Sequence, residues 1–288
     1  MRRGTSCRTL LLALVSCSSS SAPAQAVDAG AESGPPACTA QGPCTATSGT
    51  GTECVSTVRV KVVTSSGGPA ASVPVFVCGT NVCSAPTSTA SDGSLLMPIC
   101  LDVAKPAIKI FDDPKWVPFA SLLLGAGPSF DVSITVTPLP AGGSVLATGN
   151  NASGGVTLAV SGAPTFDLEH TTATSQVFRA ASFPLAAFAG TGLDPGPTRV
   201  AFAWGLAPLN TKLAPPAKLS VPNAPSWPAG AAVDVLLDGT DTTTATPPAP
   251  WGTWGVVASA HVSADGSTIA TDAASGLPEV APVAFRLH

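Results

Sequence analysis

The chain has 288 residues, of which 45% are hydrophobic and only 10% charged, and its formal net charge is −4. Thirteen Lys and Arg against 17 Asp and Glu leave no cluster of cations to replace the counterions of a nucleic acid, so no nucleic-acid partner is expected. The 28 glycines and 29 prolines disfavour helices, whereas short runs rich in Val and Thr favour strands. Composition therefore predicts an all-β fold with long loops.

The amino-terminal segment is typical of an exported protein. Three arginines stand within the first eight residues, and a short apolar region follows over residues 10–15. The phrase Leu14-Val15-Ser16-Cys17 resembles the lipobox of bacterial lipoproteins. This resemblance implies a signal peptide over residues 1–16, a lipid on Cys17, and anchoring to the outer membrane facing the periplasm or the cell surface.

An ordinary secretory signal is the alternative interpretation of the same segment. Ala24-Gln25-Ala26 is an acceptable small-x-small cleavage site, which would leave a secreted, soluble protein that starts at Val27. A membrane-spanning helix is disfavoured, because such a helix needs about 20 consecutive apolar residues. The longest uncharged apolar stretch, residues 180–193, is shorter and contains Pro184.

Composition also divides the chain into segments. Residues 17–55 are rich in Ser, Thr, Ala, Gly and Pro and are predicted to form a tether. Residues 56–140 are predicted to form a first β-sandwich and residues 141–288 a second one. The Pro- and Gly-rich stretch 138–143 is predicted to link the two sandwiches.

Besides Cys7 and Cys17, the chain has six cysteines, all within its first 100 residues. In an exported protein an even number of cysteines predicts disulfides. Their pairing is open except for one local pair, Cys78 and Cys83, which are spaced to close a turn after a strand. A zinc site is disfavoured because no Cys-x2-Cys pair occurs. The disulfide candidates are Cys38, Cys44, Cys54, Cys78, Cys83 and Cys100.

The first sandwich is predicted from short runs of alternating apolar and polar residues. Strands are expected over residues 58–63, 73–77, 94–99, 107–111, 117–124 and 132–136. Gly67-Gly68-Pro69 and Asp92-Gly93 are expected to form turns. The succession of strands and turns over residues 57–111 resembles the prealbumin-like or carboxypeptidase-regulatory-like β-sandwich of bacterial surface proteins.

The second sandwich is predicted from a series of short sequence segments and from the order in which they occur along the chain. They include residues 154–160, 216–223, 228–237, 251–255, 262–269 and 276–278. Their order resembles the β-sandwich module shared by zonula occludens proteins, netrin receptors and ankyrins, which implies a non-enzymatic structural or interaction domain. Independently of the resemblance, Asp265-Gly266 predicts a hairpin turn between strands that begin at His261 and Ser267.

Chemical sites are sparse in the sequence, and no catalytic residue, metal ligand or cofactor is predicted. Asp167-Leu168-Glu169-His170 is the strongest hydrolase candidate, but alternation in a strand would place Glu169 and His170 on opposite faces. Asp112-Asp113 and Asp238-Gly239-Thr240-Asp241 are candidate calcium loops, although neither matches an EF-hand. His261 is interpreted as a surface histidine.

Tryptophans offer one further candidate site. Trp251 and Trp254 lie in or beside a Pro-rich loop and, if exposed, could stack on a carbohydrate. The favoured interpretation is that they pack loops onto the sandwich.

The sequence therefore predicts a non-enzymatic, lipid-anchored protein of the cell envelope with a structural, adhesion or interaction role. Its expected partners are the membrane, through the lipid, and an envelope protein or glycan. A secreted carbohydrate-binding module is the alternative, and an unrecognised hydrolase is the third hypothesis.

Overall fold

The computed structural model describes residues 51–111, 115–122, 128–167, 175–185, 200–240 and 249–288. This part of the chain is all-β and contains seventeen strands and no α-helix. No helix among the described residues is long and apolar enough to cross a membrane. The strands are β1 Thr52–Thr64, β2 Pro74–Cys78, β3 Thr87–Ser88, β4 Ser94–Ala104, β5 Ala107–Ile110, β6 Phe119–Leu122, β7 Ser129–Val136, β8 Gly149–Ser153, β9 Val156–Val160, β10 Arg179–Phe183, β11 Phe202–Ala207, β12 Thr211–Pro222, β13 Ala232–Asp238, β14 Trp254–Val262, β15 Thr268–Thr271, β16 Leu277–Val280 and β17 Val283–Leu287.

The first seven strands form two sheets that face each other. One sheet has the order β4-β1-β7, with β1 and β7 parallel, and the other has the order β3-β2-β5-β6. Apolar residues alternate along β1 as the sequence predicts, and Val58, Val60 and Val62 are buried. They share one apolar core with Val75 and Val77 of the facing sheet. Alternation therefore places one face of each sheet against the other, as in a β-sandwich.

The last ten strands form a single sheet that curls around its own core. Its order is β10-β11-β17-β13-β14-β15-β12-β9-β8, with β16 paired to β12. Inward side chains from strands along the whole sheet, such as Leu158, Val235 and Phe285, belong to one buried cluster. The first and last strands meet, because the Ala180 N–H of β10 donates to Ser153 Oγ of β8 at 3.1 Å. The curl thus encloses a core without a second sheet.

Three adjacent strands of the curled sheet are covered on both faces. In β13, Val235 and Leu237 face the enclosed core, whereas Leu236 between them belongs to the core of the first seven strands. Ala203 of β11 and Ala284 of β17 face the same way as Leu236. Small residues on this face permit close approach of the first part of the chain, and the two predicted sandwiches are joined by a continuous apolar contact.

Several predicted strands are confirmed, and their bounds are refined. Six predicted strands of the first sandwich correspond to β1, β2, β4, β5, β6 and β7. β1 begins at Thr52, so residues 52–55, which the sequence places in the tether, belong to a strand. Within the predicted linker, Leu139 alone is packed: its N–H donates to the Lys115 carbonyl and its side chain is buried, whereas residues 138 and 140–143 are exposed.

Candidate functional site

An open groove lies on the outer face of the curled sheet, beyond the part that the first seven strands cover. Strand pairing aligns Asp234 of β13 with Arg286 of β17 and with Ser259 of β14. Two residues further along the pairing, Ala232 lies opposite His261, and the His288 N–H donates to the Ala232 carbonyl at 3.1 Å. Because side chains alternate along a strand, all these side chains point away from the enclosed core.

The first polar cluster of the groove is centred on Asp272. His261 Nδ1 lies 2.5 Å from Asp272 Oδ1. The Ser259 side chain also hydrogen-bonds to the Asp272 carboxylate. This bond is the largest cause of the lowered pKa of Asp272. Burial opposes the lowering, and the hydrogen bond and charge of His261 add to it. The Ser259 N–H donates to Ser275 Oγ at 2.9 Å. Asp272 therefore remains ionised and orients both His261 and Ser259.

The second polar cluster is centred on Asp234. His288 Nδ1 lies 2.8 Å from Asp234 Oδ1, and Arg286 Nε donates to Asp234 Oδ2, also at 2.8 Å. Burial raises the pKa of Asp234, but the bonds from His288 and Arg286 outweigh burial, so the net pKa is lowered. A carboxylate at this position thus holds His288, the residue that follows β17.

The two clusters line one groove of about 400 Å³. Its lining includes Asp234, Ser259, His261, Ser275 and His288, together with small or apolar residues such as Ala232 and Val256. The His261 side chain is 53% exposed and the His288 side chain 76% exposed. Two solvent-accessible imidazoles, each held by a carboxylate, are therefore the chemical groups that this groove presents to a ligand.

Ser259, His261 and Asp272 do not have the arrangement of a hydrolytic triad. In such a triad the histidine lies between the serine and the aspartate, so that it can take the serine proton. Here Ser259 bonds to Asp272 itself, beside His261. The serine hydroxyl is therefore not activated by the histidine in this geometry.

A buried network brings together two segments that the sequence analysis considered separately. Asn210 is 1% exposed, and its Nδ2 donates to Asp167 Oδ2 at 3.3 Å. The Thr240 hydroxyl donates to Asn210 Oδ1 at 2.7 Å. The hydrolase and calcium candidates therefore meet through Asn210, at the end of the sheet opposite the groove. Glu169, His170, Asp241 and the Asp112-Asp113 pair lie outside the described residues.

Asp238 departs from the calcium-loop interpretation. It ends strand β13 rather than lying in a loop, and it is 0% exposed. Its Oδ2 accepts the Ala120 N–H of β6 at 2.9 Å, across the contact between the two parts of the chain. Burial raises the pKa of Asp238 well above its ordinary value; this bond and the charge of Lys109 oppose the shift. Within the described ranges, no three or more His, Cys, Asp or Glu residues gather as metal ligands.

The tryptophan candidates are packed rather than displayed. Trp251 is 9% exposed, and its indole N–H donates to the Lys105 carbonyl at 2.7 Å. It contacts a small core that includes Ala107 and Ala120. Trp254 is half-buried against the core shared by the two parts of the chain. For Trp251 the favoured interpretation, that it packs a loop onto the first sandwich, is confirmed, and the alternative of an exposed stacking face is wrong.

The local disulfide prediction is confirmed. Cys78 and Cys83 are bonded, five residues apart, directly after β2. Cys54 and Cys100 are disulfide-bonded as well. The lipidation candidate Cys17 and the disulfide candidates Cys38 and Cys44 lie outside the described residues.

Sequence reasoning missed most of the groove. The spacing Ser259-x-His261 on a strand and the Asp265-Gly266 hairpin could have placed Asp272 opposite Ser259, because the hairpin fixes the register of β14 and β15. Nothing local in the sequence pairs His288 with Asp234, since β17 joins β13 across 54 residues of sequence.

A scan against models of known protein families found no match, and a search of curated proteins found no similar sequence. The groove and its residues are therefore interpreted from their own chemistry.

Proposed function

We propose that the protein is exported and held on the outer membrane by a lipid on Cys17, where it serves a non-enzymatic structural, adhesion or interaction role. The observation that carries this proposal is Leu14-Val15-Ser16-Cys17 after a basic, then apolar, leader. Removal of residues 1–16 deletes three cations and no acidic residue, which changes the net charge from −4 to −7. Two or more acyl chains give stable anchoring, whereas one chain is marginal.

The cysteine chemistry of the folded part supports export. The bond between Cys78 and Cys83, and the disulfide-bonded state of Cys54 and Cys100, suit an oxidising compartment outside the cytoplasm. Disulfides persist there without a reducing pool to break them, so they brace the part of the protein that follows the tether.

The distribution of polar groups supports a binding role rather than catalysis. The groove presents oriented imidazoles without a serine placed to attack. The polar network at Asn210 is internal and connects strand ends to loops. This arrangement supports a binding role for the groove, and the leader segment supports the anchor.

Metabolic labelling with a fatty acid tests the anchor. Wild-type protein should incorporate the label and sediment with membranes, whereas Cys17→Ser should lose both properties. Cys7→Ser is the matched control, because Cys7 lies within the same leader and should leave labelling unchanged. An unlabelled, soluble wild-type protein that starts at Val27 would contradict the proposal and favour a secreted binding module.

A complementation experiment tests the role. A strain that lacks the protein should show altered adhesion or envelope integrity, which wild-type protein restores and Cys17→Ser does not. Full restoration by Cys17→Ser would show that the role does not require the anchor.

A further inference from the structure

We propose that Cys54 and Cys100 form disulfides with Cys38 and Cys44, one bond to each, so that residues 38–50 are tied at two points to the first seven strands. We call this segment the strap. The inference depends on the export that the proposed function includes, because disulfides persist in an oxidising compartment. It does not depend on the lipid.

Cys54 and Cys100 are both disulfide-bonded, but the strand register keeps them from bonding to each other. Cys54 of β1 lies opposite Asp102 of β4, so Cys100 is its diagonal neighbour, two residues away along β4. Diagonal neighbours on paired strands lie about 7–8 Å apart, whereas the Cα atoms of a disulfide are usually about 4.4–6.8 Å apart. Each of the two cysteines therefore needs another partner.

The other cysteines of the chain reduce the choice of partner to two. The two cysteines that follow β2 are bonded to each other. Cys7 lies in the leader, which both interpretations of the amino-terminal segment remove, and Cys17 is either lipidated or removed with it. Cys38 and Cys44 are left, one for each bonded cysteine of β1 and β4.

The bonded cysteines of β1 and β4 lie close enough together for one short segment to reach both. Cys54 Sγ is 3.9 Å from Ser56 Oγ, and Cys100 Sγ is 3.9 Å from the Ser56 carbonyl oxygen. Cys38 and Cys44 are six positions apart in the sequence, and six residues span at most about 20 Å. This length is ample for two bonds on either side of Ser56.

The burial pattern of β1 indicates where the strap lies. Val58 faces the core between the two sheets, so Thr57 beside it faces outward. Thr57 is nevertheless only 2% exposed, although its cross-strand neighbours Pro98 and Ser129 are exposed. The next outward residue, Arg59, has a side chain that is 56% exposed. The outer face is thus covered at the end next to the cysteines and open further along, as a strap tied at that end predicts.

The strap would control how far the folded part reaches from the membrane. Each bond forms when two thiols lose two protons and two electrons to the disulfide of a thiol–disulfide oxidoreductase, which is reduced to a dithiol. In the anchored protein the closed strap leaves residues 18–37 between the lipid and the fold, about 70 Å at full extension. Reduction of both bonds frees residues 18–51, about 120 Å at full extension.

Peptide mapping of the exported, unreduced protein tests the pairing. Digestion with trypsin and a Glu-specific protease distributes the six cysteines over three peptides, residues 33–53, 54–59 and 62–109. The proposal predicts one species in which all three peptides are joined, and reductant should resolve it into its parts. A peptide 33–53 that runs alone would overturn the proposal. Free thiols at all six cysteines would contradict the export itself, and the strap with it.

Two double variants provide the second measurement. Cys38→Ser combined with Cys44→Ser leaves the cysteines of β1 and β4 without partners, so a maleimide should label both thiols in the unfolded chain. Cys78→Ser combined with Cys83→Ser is the matched control, which should show no thiol and keep the three peptides joined. The strap is overturned if the first variant shows no thiol, because the cysteines of β1 and β4 would then be bonded to each other.

Discussion

The contact between the two parts of the chain can be tested at Gly205. This residue lies in β11 between Ala203 and Ala207, on the face that meets the first seven strands. A Cβ added at Gly205 would stand 2.0 Å from Val117 Cγ1 and 2.4 Å from Val117 Cγ2. Real Cβ atoms do not approach so closely, so Gly205→Ala requires the two layers to separate or Val117 to move.

The expected cost follows from the packing of this contact. Val117 is 0% exposed and belongs to the core that the two parts of the chain share. Overpacking of such a site costs about 1–3 kcal/mol, and the two very short contacts place Gly205→Ala near the upper limit. For a chain of this size, that loss lowers the melting temperature by about 6–12 °C.

A double-mutant cycle separates this clash from a general effect. Val117→Ala alone removes two buried methyl groups and should cost about 2 kcal/mol. Combined with Gly205→Ala it also removes the two closest clashing atoms and leaves only Val117 Cβ, at 2.8 Å, so the double variant should be at least about 1 kcal/mol more stable than additivity predicts. Chemical denaturation with urea measures each free energy of unfolding.

Gly68→Ala is the matched control, because its new Cβ would meet only Thr64 Oγ1, at 3.7 Å. Its free energy of unfolding should stay within about 0.5 kcal/mol of wild type. If Gly205→Ala were equally harmless, or if the Gly205 and Val117 substitutions were additive, the two layers would not pack as described and the reasoning would be refuted.

Two further predictions concern stability. The pKa of Asp238 is raised in the folded state, so ionisation disfavours folding, and the free energy of unfolding should fall as pH rises above the unfolded carboxyl value of about 3.9. Asp238→Asn keeps an acceptor for the Ala120 N–H and should flatten this slope in urea titrations from pH 4 to 8; an unchanged slope would contradict the assignment. Cys78→Ser combined with Cys83→Ser opens a short loop and should cost about 2 kcal/mol. Wild type and this variant should differ under oxidising conditions and converge in reductant, and a persistent difference would show that packing rather than the bond is responsible.

The strands that could be predicted are those with one covered face. β1 alternates buried and exposed residues, and the Asp265-Gly266 turn joins β14 to β15 as the local chemistry requires. The spacing of Cys78 and Cys83 likewise contains its own geometric constraint. In each case the information lies within a dozen residues, so a local reading suffices.

The contact between the two parts of the chain could not be predicted in the same way. β13 is buried along six consecutive residues, and two of them, Leu236 and Asp238, are buried because the first part of the chain covers the face that would otherwise meet water. Trp251 is packed by that layer through Lys105, which lies 146 residues earlier. The groove depends on the pairing of β17 with β13, which also joins distant segments. The local pattern of apolar residues does not show which distant segment of the chain packs over the outer face of a strand.

Intact mass of the mature protein, extracted from a bacterial host with and without reductant, tests the proposed export and anchoring most directly. We expect a chain that starts at Cys17, is heavier by its attached lipid, and gains the mass of about six hydrogen atoms when three disulfides are reduced. An unmodified chain that starts at Val27 would contradict the anchor. No gain of mass on reduction would contradict the disulfide-braced, exported protein described above.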